Sequence, residues 1–420
     1  MLKLFHQEAL VNESLSMTGP SSTNGPLSTN GPLSGFRILD LSAVLSGPLA
    51  TTLLCDQGAD VIKIEAFDGD IVRRLGTGKT AMTPTFLTAN RGKKSMAVDL
   101  KNPEGVTLVK QLAGLSDVVV QNFRPGAIER MGLGYEAIRE LKPDIVYCSI
   151  SGFGEHGPYA HKRVYDPVIQ SLSGLADIQR NRETGRPQMI RTVIPDKITG
   201  LTAAQAITAA LLSRERTGNG QHIKLAMIDA MIAMTWAEAM AGYTVIGQEN
   251  HAPPQLAPDL IYQTTDGYIT TGVVSNAEWQ GLCQALDREH WLVDERFKTP
   301  GGRLKYVGER IILTAEVIAT RTSEFWLNRL DEYNVPCAPV LTRKELLSNE
   351  QIVANELIVE LDQQGLGPVR QARPAAIFSE TPTQIQGPAP LLGQHTNEIL
   401  AEIGFDESDI SRLYKSKVVV

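Results

Sequence analysis

Cysteine is scarce in this 420-residue chain: Cys55, Cys148, Cys283 and Cys337 are the four present, and no two form a C-x-x-C pair. That spacing excludes a zinc ribbon and a disulfide framework, and a reducing, cytoplasmic setting is expected. The seven histidines are scattered, with no H-E-x-x-H and no i, i+4 pair, so no metal site is expected. A run of about 18 apolar residues is also missing, which argues against a membrane-spanning helix. Nor is there a basic excess. Lys and Arg number 40 against 47 Asp and Glu, a formal charge of -7, so the net field attracts neither nucleic acid nor an anionic membrane, and no partner of either kind is expected. Aromatic residues make up only 6%, but 42% hydrophobic and 21% charged residues are ordinary globular composition. The length allows two or three folded units with sizeable cores.

Residues 1–34 stand apart. Ser-Thr-Asn-Gly-Pro-Leu occurs there twice in tandem, a tract with too few large apolar side chains to offset ordering entropy, and a disordered tail is expected. The first 15 residues carry Glu8 and Glu13 and lack an apolar h-region, so they do not read as a signal peptide. From Phe36 onward, short β-branched runs alternate with amphipathic stretches. Strands are expected at 36–41, 61–65, 95–100, 118–121, 145–150 and 222–226, the signature of βαβ units on a mainly parallel sheet. Between them lie helices at 48–57, after Asn102-Pro103, and at 196–214, with Asp196 at the N-terminus of the last. Residues 35–250 thus form a large α/β domain. A smaller α+β domain is expected over 259–342, from a hairpin at Asp266-Gly267, three amphipathic helices within 277–333 and a strand at 337–341. Residues 343–420, ending in a helix at 406–414, are expected to pack back on the large domain.

Two glycine-rich stretches invite a nucleotide reading, and both fail. Gly78-Lys79-Thr80 lacks the P-loop glycine five residues before Gly78, where Arg73 stands. Gly152-Phe153-Gly154-Glu155-His156-Gly157 follows a strand, but Pro158-Tyr159 comes where a dinucleotide-binding helix should open. Its amides remain suited to an anion or a developing oxyanion. No G-x-S-x-G elbow is present, which leaves carboxylates as the candidate chemistry. Asp166, Glu183 and Asp196 follow the glycine loop; locally they read as a turn carboxylate, a solvated charge and a helix cap.

The chain resembles the class III CoA-transferases, the CaiB/BaiF family that includes formyl-CoA transferase, carnitine CoA-transferase and α-methylacyl-CoA racemase. The likeness is carried by Ile38-Leu39-Asp40-Leu41 with Gly47-Pro48, Gly58 to Glu65, Asn90-Arg91-Gly92-Lys93-Lys94-Ser95 and Gln121 to Gly126. It continues through Ser151 to Gly154, Arg216 to Gln221 and Pro390 to Thr396. It implies a Rossmann-like large domain built from both chain ends, a smaller α+β domain, and an interlocked dimer, either of this chain or with a paralogue. It also implies acyl-CoA and a small carboxylic acid as the partners, with coenzyme A thioester a substrate and no cofactor bound permanently. The matching CoA positions are Val44, Leu45, Val98, Asp99, Leu100, Lys101, Asn122, Phe123, Arg124, Arg130, Ile150, Ser151, Gly152 and Phe153. Arg130 would pair a phosphate and Phe123 would face adenine.

The chemistry the resemblance implies is attack by an enzyme carboxylate on the acyl-CoA thioester, giving a mixed anhydride and then an enzyme-CoA thioester. Its nucleophile is expected just before a Gly-Pro-Pro-like turn, and the residue before Gly185-Arg186-Pro187 is Thr184, a weak nucleophile without an adjacent base. Glu183, one residue earlier and one methylene longer, is therefore the expected replacement. The racemase branch would use Asp196 with Tyr165, which stands where that branch has histidine. A catalytically silent subunit paired with an active paralogue is the third expectation.

Overall fold

The computed structural model describes residues 31–75, 82–181, 183–247 and 259–420. Residues 1–30 of the expected tail, the Gly76 to Thr80 stretch and the 250 boundary of the large domain lie outside the described residues.

Six parallel strands form the main sheet: β1 (Arg37–Asp40), β2 (Asp60–Glu65), β3 (Lys94–Ala97), β4 (Val118–Gln121), β5 (Val146–Ser151) and β6 (Gln221–Ala226), in the order β3-β2-β1-β4-β5-β6. β4 reads Val-Val-Val-Gln with every residue buried, as a strand covered on both faces should. On one face Leu54 of the helix Ser46–Asp56 packs with Ala203, Ile207 and Leu211 of the long helix Pro195–Thr217. Gly200 permits that approach: a Cβ there would lie 2.9 Å from the Ser46 carbonyl oxygen. The long helix opens on Pro195 and ends at Gly218, whose φ of +73° lets its amide return to the Arg214 carbonyl. On the other face Leu108 and Leu112 of the helix Pro103–Gly114 join Ile399, Leu400 and Leu413 from the helices Thr396–Glu402 and Glu407–Lys415.

A three-stranded antiparallel sheet, β7 (Ile261–Gln263), β8 (Tyr268–Thr271) and β9 (Cys337–Pro339), carries its own apolar cluster around Trp279, Trp291, Phe297 and Trp326. Four α-helices lie between β8 and β9, one more than the periodicity indicates. A hairpin of β10 (Ile358–Gln363) and β11 (Gly367–Ala372) was not anticipated.

Two expected boundaries are corrected. The tail does not run to residue 34: Gly31 to Gly35 make a turn in which the Leu33 amide donates to the Gln57 carbonyl at 2.8 Å and the Leu33 side chain is buried. The strand expected at 95–100 ends at Ala97: the Val98 amide still donates to the Glu65 carbonyl at 2.8 Å, but Val98 also bridges Val419 antiparallel and the Asp99 amide donates to the Val418 carbonyl at 3.0 Å.

Charged residues of the shared motifs turn inward. The Lys93 ammonium, wholly buried, donates to Asp40 Oδ2 at 2.9 Å, the Pro48 carbonyl at 2.8 Å and Asn90 Oδ1 at 3.0 Å. Arg73 forks onto Glu65 with both bonds at 2.7 Å, and Arg91 forks onto Asp56 at 2.6 and 3.2 Å. Each of these three buried cations is thus paired with a carboxylate, which is the condition for tolerating it inside.

Candidate active site

The strand order reverses between β1 and β4, and in open α/β sheets the crevice at the carboxyl ends of such a pair is where ligands bind. Here Ser42 to Leu45 leave β1 as a turn held from three sides. Lys63 Nζ donates to the Ser42 carbonyl at 2.8 Å. The Asn122 side chain grips both polar groups of Ala43, accepting from its N–H at 2.9 Å and donating to its carbonyl at 2.7 Å. The Val44 amide donates to the Asp70 carboxylate at 3.2 Å, and Asp70 is itself paired with Lys63 at 3.2 Å. Val44 has a φ of +71°, a left-handed conformation that a β-branched side chain resists unless its surroundings impose it. The turn delivers Ser46 to the foot of the long helix.

Asp196 is the second residue of that helix and only 8% exposed. Burial first, and the neighbouring Asp166 carboxylate second, push its carboxyl up to about 6, against hydrogen bonds from the Ser46 hydroxyl and amide. Asp166 is buried as well; its Oδ1 accepts from Gln170 Nε2 at 2.6 Å and its Oδ2 from the Asp196 amide at 3.4 Å.

Asp196 borders a cavity of about 260 Å³ together with Ser46, Val44, Asn122, Phe123 and Arg124, and with Ile150, Ser151 and Gly152 from the end of β5. It is the sole carboxylate lining that cavity among the described residues, while Arg124, Lys162 and Arg163 supply cations. Phe123 separates it from a second cavity of about 570 Å³, which Val98, Asp99, Leu100 and Lys101 border. Phe153 lies with Phe123 and Ser151 on a third, of about 830 Å³. Twelve of the fourteen CoA positions taken from the resemblance therefore border three cavities that Phe123 also lines. The other two do not line these cavities: Leu45 is buried ahead of the first helix, and Arg130 is exposed at the end of the helix Ala127–Arg130.

Glu183 stands elsewhere. It is exposed in a turn organised by Asn181, whose Oδ1 accepts from the amides of Glu183 at 3.1 Å and Thr184 at 2.8 Å, and it borders none of the three cavities. Tyr165, by contrast, lines the Asp196 cavity and is 64% exposed. In the glycine loop the Gly154 amide is spent on Ser151 Oγ at 3.0 Å, and Gly152 is required where a Cβ would come within 2.4 Å of the Val164 side chain. Sequence reasoning passed over Ser46 and Gln170. The i, i+4 spacing of Asp166 and Gln170 was a usable signal for the second; nothing local marks the first.

The family model for CoA-transferase family III matches residues 33–396, and the chain belongs to that family. It is a CoA-transferase, moving CoA from an acyl-CoA to an organic acid. It is 37% identical over 393 residues to succinyl-CoA:glutarate CoA-transferase of Mus musculus, covering 92% of this chain and 89% of that one. Succinate–glutarate CoA-transferase of Agrobacterium fabrum is 34% identical over 383 residues, covering 88% and 95%. Among solved structures, a CaiB/BaiF family protein from Brucella suis superposes with a TM-score of 0.77 at 33% identity, covering 89% of this chain and all of that one. The Mus musculus and Agrobacterium fabrum relatives are named for transfer rather than racemisation.

Proposed function

We propose that this chain moves CoA between two small dicarboxylic acids and that Asp196, rather than Glu183, is the attacking carboxylate. The observation that carries the assignment is that, among the described residues, Asp196 is the one carboxylate bordering the cavity where the turn after β1 and the ends of β4 and β5 converge. With its carboxyl at about 6, roughly nine-tenths is ionised at pH 7, yet it is more basic than an ordinary aspartate. The names of the Mus musculus and Agrobacterium fabrum relatives pair succinyl-CoA or succinate with glutarate. Arg124, Lys162 and Arg163 offer charge-assisted partners for the distal carboxylate of such acyl groups.

An Asp196 oxygen attacks the thioester carbonyl; the C–S bond breaks and CoA leaves as thiolate, giving a mixed anhydride. The thiolate then attacks the Asp196 carbonyl, releasing the donor acid and leaving an aspartyl-CoA thioester. The acceptor carboxylate attacks that thioester to form a new anhydride, and the expelled thiolate takes its acyl group, freeing Asp196. Each step exchanges one acyl bond for another of similar activation, so no external energy source is needed.

The functional unit proposed is an interlocked homodimer in the cytoplasm. Met234, Trp236, Tyr243 and Ile246 are exposed on and after the helix Met227–Ala239, an apolar surface suited to a second copy. Sizing by light scattering tests this, and a monomeric mass would refute it. For the nucleophile, incubation with succinyl-CoA and trapping with borohydride or hydroxylamine should modify the peptide containing Asp196, and Asp196→Ala should abolish the adduct. An adduct on Glu183 would overturn the assignment.

A further inference from the structure

Gln170 is 2% exposed and lies one turn after Asp166 in the helix Asp166–Leu172, on the same face. Both ends of its amide are engaged. Nε2 donates to Asp166 Oδ1 at 2.6 Å and approaches the carbonyls of Ile190 and Thr192 at 3.4 Å; Oε1 accepts from the Ile190 amide at 3.0 Å. One side chain thus ties this helix to the segment that leads into the long helix. The free oxygen of Asp166 completes the link, accepting the backbone N–H of Asp196.

We propose that Gln170 is a positioning residue for CoA transfer: by holding the Asp166 carboxylate against the first turn of the long helix, it sets where the Asp196 side chain stands. This rests on Asp196 being the attacking carboxylate. A neutral amide suits the position because two carboxylates already meet there. Gln170 satisfies one oxygen of Asp166 without placing a positive charge beside Asp196, whose carboxyl is raised first by burial and second by the Asp166 carboxylate. The titratable groups on the elements packed around the pair are Arg163 and Tyr165 ahead of it, Asp177 on the next short helix, Arg191 and Lys197 on either side of Thr192, and Asp229 on the helix Met227–Ala239; all are exposed. Asp166 and Asp196 are therefore the two buried carboxylates of this cluster.

Gln170→Glu tests the arrangement. It keeps the shape, but can donate to Asp166 only while the two carboxyls share a proton, since anions this close do not both persist. In the wild type, kcat should rise about twofold between pH 6 and 8 as Asp196 completes its ionisation. In Gln170→Glu it should fall at least about tenfold over the same interval as the shared proton leaves. Gln170→Leu should lower kcat about 10- to 100-fold at every pH, with KM for succinyl-CoA changed less than about threefold. If the leucine variant fails to fold, the glutamate profile decides alone. A Gln170→Glu profile parallel to the wild type overturns the proposal. With the trapped adduct still on Asp196, that result defeats this inference only; an adduct elsewhere defeats the nucleophile assignment beneath it.

Discussion

Replacing Asp196 by asparagine removes a charge and nearly keeps the shape, so it isolates what the carboxylate costs the fold. In the folded chain the group titrates at about 6 instead of the ordinary 3.8, because burial and Asp166 disfavour its anion. A raised carboxyl pKa means that between those values the folded state holds a proton the unfolded state has released. The stabilising contribution is then full below the unfolded pKa and is lost as pH rises through the folded one. At pH 7.5 the anion costs roughly 3 kcal/mol relative to an unperturbed aspartate, at pH 5 about half of that, and at pH 4 about 0.5 kcal/mol. Asparagine forfeits part of the bonding from Ser46, so the net gain for Asp196→Asn at pH 7.5 is about 1–2 kcal/mol. Urea unfolding followed by far-ultraviolet circular dichroism at pH 7.5 and pH 5 measures it. Tryptophan fluorescence gives a separate reading of the smaller cluster, where Trp279, Trp291 and Trp326 reside. Catalysis should vanish while the protein becomes sturdier, the usual exchange at a strained active site. A variant less stable than wild type at pH 7.5, or equally stabilised at both pH values, would refute the reasoning.

Asn122→Ala removes both hydrogen bonds that grip Ala43; it should cost about 2 kcal/mol in denaturant melts and raise KM for acyl-CoA about fivefold in steady-state assays. Burial opposes ionisation of Asp40, but the ammonium groups of Lys93 and Lys63 and the hydroxyls of Ser42 and Thr51 outweigh it and hold the carboxyl well below the usual carboxylate range. Lys93→Met breaks that buried pairing and should cost about 3–5 kcal/mol by the same melts, with Lys93→Met/Asp40→Asn recovering part of the loss. Gly152→Ala drives a methyl into Val164; it should destabilise by about 1–3 kcal/mol and depress kcat, and pairing it with Val164→Ala should restore activity in the same assay.

Much of the sheet was legible because hydrophobic runs of four to six residues bounded by glycine or proline are local signals. The shared motifs were legible as motifs, but their reasons were not: Lys93, Arg91 and Glu65 look like solvated charges until Asp40, Asp56 and Arg73 arrive from other elements. The third strand ended early where Val98 and Asp99 meet Val419 and Val418, which no local window contains. The hairpin of β10 and β11 was overlooked despite Gly365 and Gly367, both with φ of +82°, which mark its turn. Glu183 drew notice because it stands one residue before Thr184, the position to which the family motif points. It borders none of the three cavities, whereas Asp196 meets Ser46 and Asp166 from 150 and 30 positions earlier, and proximity across such gaps is a tertiary property.

The bridge between Val98 and Val419 has a consequence during synthesis. β3 is the edge strand of the main sheet, and the segment that covers its end is translated about 320 residues later. At about 5–20 residues per second, the strand waits roughly 16 to 64 seconds on the ribosome with its flank open. An uncovered parallel edge on a concentrated polysome is an invitation to pair with a neighbour's edge. Slowing elongation downstream of β3 should therefore lower the soluble yield of this enzyme, and a chaperone that shields nascent edges should restore it.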